Sequence, residues 1–425
     1  MFICKKFILD NGLKVLFSPM NGTKVVTVNL FVKCGSRYEN SVNNGVTHFI
    51  EHMLFKGTDS RKDAFSISKE VDSMGADING ATSHEYAYFY IKALKDHFEK
   101  ALDILSDIIM NSKFEKKDMA VEKNTIIEEI SMRKDNTGSY VWELYNTLLY
   151  GSQPLGFPIS GSEAVIKKLS RNEVTGCWKK YFTGKNIIIS IAGDMAFEKT
   201  FLLVKKYFSG IASGRESGFR KISQDQKKPA ILKYEKATEQ VYLCLGNRTF
   251  NYTHPDFSVM EIINGILGMT MSSRLFVILR ETKGLVYSVS TSNDFFSDTG
   301  NFSVYAGVNE KNLQKTLKIV LSEFYRIKTE KTGTEELDRI KKSMEGYLYM
   351  VLDSSSGMSN YTGRQELHRG EVQSPVERMA LLNKVTADDI IRVSRNIFKK
   401  ETLNLALAGP VKEENSILEL MEEFR

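Results

Sequence analysis

Two apolar segments of this chain return half a length later, in the same order. VNLFV at residues 28–32 has a counterpart in VYLCL at 241–245, and IIISIAGD at 187–194 has one in LNLALAGP at 403–410. The offsets, 213 and 216 residues, are nearly equal, so an internal duplication is the simplest account. It restricts the fold to two copies of one plan. Between the copies, SGRESG at 213–218 runs on to Lys227, Lys228 and Pro229, with the polar, Gly/Ser-containing composition of a linker. The expected division is therefore 1–212, a linker at 213–229, and 230–425. Within the first copy, residues 26–32 read as a strand, 46–55, 101–110 and 116–132 as helices, and 187–192 as a buried strand. The mixture lacks a regular βαβα beat, which predicts an α+β fold.

Composition excludes several classes of function. Of the 425 residues, 42% are hydrophobic and 26% charged, as in ordinary globular proteins. The net charge of +6 comes from 58 basic and 52 acidic residues spread along the chain, with no basic block carrying interleaved aromatics. A nucleic-acid partner is not expected. Cys4, Cys34, Cys177 and Cys244 form no C-x-x-C pair, and Cys34 and Cys244 fall in or beside apolar runs, as buried thiols do. The first twelve residues carry Lys5 and Lys6 inside their apolar stretch, and no run of eighteen apolar residues occurs. The expectation is a cytoplasmic protein without a membrane partner.

Chemistry enters at HFIEH, residues 48–52, which holds two of the six histidines. On a helix, positions i, i+3 and i+4 share a face, so His48, Glu51 and His52 would converge. Two neutral imidazoles suit Zn²⁺, and a carboxylate beside them can act as base toward a water acidified by the metal. The order is H-x-x-E-H, the reverse of H-E-x-x-H. The segment at residues 261–265, one offset later, reads EIING and keeps no ligand set, so the metal is expected in the first copy only. A third ligand must come from elsewhere. The acidic, helix-compatible stretch 121–130 offers Glu122 and Glu129, seven apart and on one face, with Glu128 beside them.

Here the chain resembles the pitrilysin and mitochondrial-processing-peptidase family of zinc metallopeptidases. The resemblance runs through GVTHFIEHMLFKGT at 45–58, NGATS at 79–83, the acidic helix, PLGFPISG at 154–161, and SRLF at 273–276 leading into RETKGLVY at 280–287. It implies two homologous domains, each an antiparallel sheet packed with helices. In the family the third ligand follows the second histidine after about 76 intervening residues, a gap that from His52 lands on Glu129 and leaves Glu128 as a solvated neighbour. The implied centre is one Zn²⁺ per chain on His48, His52 and Glu129, with Glu51 as general base and Glu122 orienting a ligand histidine.

The resemblance also assigns Arg280 and Tyr287 as donors to the substrate, and places Asn79, Ala81 and Thr82 on a strand that takes an extended peptide by edge addition. His84 beside that strand is expected at the surface. The implied activity is hydrolysis of short or unfolded peptides, and the implied assembly is a homodimer forming a chamber. Thr47 stands where the family usually has a small residue, and a proline common after the acidic helix is missing beyond Asn136. Both departures bear on substrate details. The competing reading is a non-catalytic, peptide-binding or assembly subunit of the same fold, against which the intact His48, Glu51, His52 and Glu129 stand.

Overall fold

A computed structural model describes residues 2–412 and 414–424. Contacts group the chain into two compact units, each assembled from three stretches. The first comprises Met1–Ile130, Phe157–Arg220 and Tyr349–Ser374, and the second Ser131–Gly156, Lys221–Leu348 and Pro375–Arg425.

In the first unit the strands are β1 (Lys5–Ile8), β2 (Lys14–Pro19), β3 (Val25–Val32), β4 (Asp77–Thr82), β5 (Ala87–Leu94) and β6 (Ile187–Gly193). They form one sheet in the order β1-β2-β6-β3-β5-β4, antiparallel except for the pair β2 and β6. Its helices include α1 (Val46–Leu54), α2 (Ala64–Ser73), α3 (Phe98–Asn111) and α4 (Lys116–Asp135) as far as Ile130. In the second unit β7 (Ala230–Tyr234), β8 (Val241–Thr249), β9 (Val286–Phe295), β10 (Gly300–Val308) and β11 (Leu403–Ala408) take the order β7-β11-β8-β10-β9. The only parallel pair described there is β7 with β11. Strand for strand, β2-β6-β3-β5-β4 and β7-β11-β8-β10-β9 share one topology, as the sequence repeat predicts, and β1 is an addition to the first copy.

The alternation in β3 shows how each sheet is used. Val26, Val28, Leu30 and Val32 point into the main core with Phe49, Ile50 and Met53 of α1 and Ile104, Leu105 and Ile108 of α3. Thr27, Asn29 and Phe31 point the other way and meet the helix Ser355–Arg369. That contact is polar: Thr27 Oγ1 lies 2.9 Å from Ser355 Oγ, Asn29 Nδ2 2.9 Å from Ser359 Oγ, and Ser190 Oγ 2.8 Å from Thr362 Oγ1. Gly363 sits where a Cβ would stand 2.3 Å from the ring of Phe31, so only glycine lets the helix come this close. In the second unit α5 (Thr137–Tyr150) covers the corresponding face with Val141, Tyr145 and Leu149 against Cys244, Ala406 and Ala408.

The two covering helices begin 218 residues apart, close to the repeat offset, and each groups by contact with strands from the far half of the sequence. A linker at 213–229 remains our proposal for where the repeat turns over along the chain; the contact grouping differs from it for these helices. Residues 213–220 belong to the first unit, where the ring of Phe219 lies 3.9 Å from the guanidinium carbon of Arg37. Two-faced burial accounts for the sequence of β6, which is apolar except for Ser190 and buried at every position.

Candidate metal centre

The site is built within the first unit from α1, α4 and β4. Helix α1 buries Val46, Phe49, Ile50, Met53 and Leu54, an i, i+3, i+4, i+7, i+8 stripe, while His48, Glu51 and His52 occupy the adjoining face. Its first turn is held by a buried carboxylate: Glu39 accepts from the backbone N–H of Gly45 at 2.7 Å and of Thr47 at 2.8 Å, and from Asn44 Nδ2 at 3.0 Å. These donors have no intrahelical partner, and an anion at a helix N-terminus is favoured. Gly45 enters the helix at φ 93, with a would-be Cβ 2.6 Å from Ser160 O, so the approach requires glycine.

Helix α4 buries Met119, Glu122, Ile126 and Ile130, and this stripe anchors the helix with an acid inside it. Glu129 Oε2 lies 3.7 Å from His48 Nε2 and 3.7 Å from His52 Nε2. One ligand atom from each of the three residues falls within 4.8 Å of the others, the only such group of His, Cys, Asp and Glu among the described residues. Ligands of a tetrahedral zinc at about 2.0–2.1 Å stand roughly 3.4 Å apart, so this donor set fits Zn²⁺ in both chemistry and spacing. Glu128 is exposed and outside the group.

Glu122 Oε2 lies 2.9 Å from His52 Nδ1, and its Oε1 lies 2.6 Å from Lys56 Nζ. Burial works against ionisation of Glu122, yet the hydrogen bonds from His52 and Lys56 hold its pKa below the usual carboxylate range. Burial alone would lower the pKa of His52; the bond to Glu122 and the charges of Glu51, Glu122 and Glu129 outweigh it and raise the value. The negative potential responsible is the one a dication needs. Burial raises the pKa of Glu51, partly offset by the Thr82 hydroxyl, which donates to Glu51 Oε2 at 2.5 Å. A carboxylate tuned upward is a better base near neutral pH.

Thr82 ends β4, the edge strand of its sheet. Asn79 is exposed and Ala81 half-buried on the same strand. At Gly80 a Cβ would lie 3.2 Å from Glu51 Cγ and 2.9 Å from the Phe89 ring, so the missing side chain lets β4 close on α1. His84 is half-buried instead of lying at the surface: its Nδ1 is 2.8 Å from Ser36 Oγ, and it is outside the ligand group. In the second unit, Arg280 lies on a π-helical stretch, Phe276–Thr282, with its guanidinium carbon 4.9 Å from the Phe276 ring. Tyr287 is on β9 and 79% exposed.

Sequence reasoning missed Lys56, Glu39 and the bond from Thr82 to Glu51. Lys56 follows His52 by four residues, but it lies beyond the end of α1, so helical spacing could not place it.

Comparison with known proteins shows the family. Residues 14–163 match the model for Insulinase (Peptidase family M16), and residues 168–344 match that for the Peptidase M16 inactive domain. The chain is 32% identical over 407 residues to the uncharacterized zinc protease YmxG of Bacillus subtilis, covering 96% of this chain and 98% of that protein. The chain belongs to peptidase family M16. Another M16 relative, an uncharacterized zinc protease of Rickettsia felis, is 34% identical over 95% of this chain and 96% of its own length. The mitochondrial-processing peptidase subunit beta of Dictyostelium discoideum is 30% identical over 95% of this chain and 88% of its own. The M16 fold is also that of a protease crystal structure from Helicobacter pylori, with TM-score 0.90 at 23% identity, covering 96% of this chain and all of that one.

Proposed function

We propose that this M16 chain is a zinc-dependent endopeptidase that hydrolyses short or unfolded peptides. The observation that carries the reading is the convergence of His48, His52 and Glu129 with the half-buried Glu51 carboxylate beside them. His48 and His52 through Nε2, and Glu129 through a carboxylate oxygen, would hold one Zn²⁺ per chain. When bound, zinc supplies Lewis acidity that polarises a carbonyl and brings the pKa of water toward neutrality.

The protein's own groups do the rest. Thr82 occupies Glu51 Oε2, which leaves Oε1 to take the proton of the attacking water and return it to the leaving amine. Glu122 orients His52 through Nδ1. The outer edge of β4, at Asn79, Ala81 and Thr82, offers main-chain groups to an extended peptide. Arg280 and Tyr287 are proposed as donors to the substrate carbonyl or its oxyanion.

A homodimer is the simplest complete assembly for a chain carrying both sets of residues. The Dictyostelium relative, named as a subunit, makes pairing with a different chain the second reading. A cytoplasmic location is proposed on the free state of all four cysteines; no helix among the described residues is long and apolar enough to cross a membrane.

The test is zinc content together with cleavage of a quenched fluorescent peptide library, for the wild type and Glu51→Gln. Equal zinc in both, with turnover lost only in the variant, is expected. Zinc-loaded wild type that cleaves no peptide would favour a non-catalytic subunit, a role suggested by the inactive-domain match of residues 168–344.

A further inference from the structure

We propose that Lys56 is a positioning residue for the metal centre, acting through Glu122 on the imidazole of His52; this rests on the zinc reading above. The Glu122 side chain is only 4% exposed, and a buried carboxylate needs a partner for each oxygen. It has them on opposite sides: His52 Nδ1 at 2.9 Å from Oε2 and Lys56 Nζ at 2.6 Å from Oε1. Two partners determine the plane of the carboxylate, whereas one would leave it free to turn about its last bond. With Glu122 held as an acceptor, the proton of His52 would sit on Nδ1, leaving Nε2, 3.7 Å from Glu129 Oε2, as the ring atom that can take the metal.

Lys56 is itself held, unlike an ordinary surface lysine. The turn that carries it donates from Lys56 N to Met53 O at 3.1 Å and from Thr58 N to Arg61 O at 2.6 Å, and accepts at Gly57 O from Lys113 N at 3.2 Å. Gly57 has φ +127, and a Cβ there would stand 2.7 Å from Lys62 O. Four residues on, Arg61 is 4% exposed and pinned by Glu70 of α2 and by Asp103 and Asp107 of α3, at 3.1, 2.7 and 2.7 Å. Thr58 Oγ1 joins the same knot, donating to Asp107 at 2.6 Å. The base of the Lys56 stem is thus fastened to the core, and only its ammonium end, beside Glu122, has a functional direction to take. An exposed ion pair would contribute little. This one closes over a buried carboxylate.

The experiment measures zinc affinity of the full chain by competition with a fluorescent chelator, for wild type, Lys56→Met, Lys56→Arg, Glu122→Gln and the Lys56→Met/Glu122→Gln double variant. Lys56→Met is expected to weaken zinc about 10- to 100-fold, the usual range for a partner of a ligand histidine, with Lys56→Arg largely restoring it. The double variant should bind no more weakly than Glu122→Gln, since both changes break one relay. Lys56→Met should also lower the urea midpoint of the zinc-free protein, because it leaves one buried oxygen of Glu122 without a partner, so zinc affinities are compared without urea, where every variant is folded. Wild-type zinc affinity in Lys56→Met, or losses that add in the double variant, would overturn the proposal while leaving the zinc reading intact. A wild type that takes up no zinc would overturn both.

Discussion

The Thr82 hydroxyl donates to the Glu51 carboxylate at 2.5 Å, tying the end of an edge strand to the base of the candidate site. A peptide added along β4 would therefore lie beside the strand that holds the base. Thr82→Val keeps the shape and removes the donor. It is expected to lower kcat/KM about 10-fold, near 1.4 kcal/mol, without changing zinc content, and Thr82→Ser should retain activity. Steady-state kinetics with metal analysis on the same preparations provides the check.

Glu39 should matter for stability well before it matters for chemistry. It accepts two backbone N–H groups at the start of α1 and one from Asn44, all in a buried setting. Glu39→Ala leaves the two backbone donors without an acceptor, while Asn44 Nδ2 keeps Pro158 O at 2.9 Å, and is expected to cost about 3 kcal/mol in urea unfolding. Glu39→Gln, which keeps one acceptor oxygen, should fall between the two.

His368 sets a pH dependence of stability that does not involve the metal. Burial, then the charges of Arg364, Arg369 and Lys33, push its pKa down to about 3, although Glu85 Oε2 is 3.9 Å away. The folded state thus favours neutral imidazole, while the unfolded chain takes up the proton near pH 6.5. The stabilisation is complete above pH 6.5 and is lost as pH falls from there toward about 3, by roughly 1.4 kcal/mol per unit from this group. With chelator present throughout, wild type should lose about 2 kcal/mol more than His368→Gln between pH 7.5 and 5. Parallel curves for the two proteins would refute the assignment.

Arg280→Ala and Tyr287→Phe are expected to lower turnover about 100-fold each, as removal of a transition-state donor does, with zinc content unchanged. Loss of zinc from either would show that they serve the metal centre and not the substrate. Inductively coupled plasma analysis beside peptide cleavage separates the outcomes.

Much of this was legible in the chain. The spacing of His48, Glu51 and His52 implies one helical face, because the helix repeats every 3.6 residues whatever surrounds it, and the structure places them on α1. The near-equal offsets predict two sheets of one topology, and β6 with β11 and β3 with β8 occupy equivalent positions. These are local or periodic properties, carried by the sequence itself. The rest depends on contacts between segments far apart along the chain. Glu122 and Lys56 are 66 residues apart, Thr82 and Glu51 are 31 apart, and only packing brings each pair together. The exchange of covering helices was equally hidden, since α5 and Ser355–Arg369 have the composition of helices in either unit. Sequence determined which groups could bind metal and which elements repeat. Tertiary structure decided their partners, because a hydrogen bond or a buried charge depends on distance in space, which spacing along the chain encodes only within a single helix or strand.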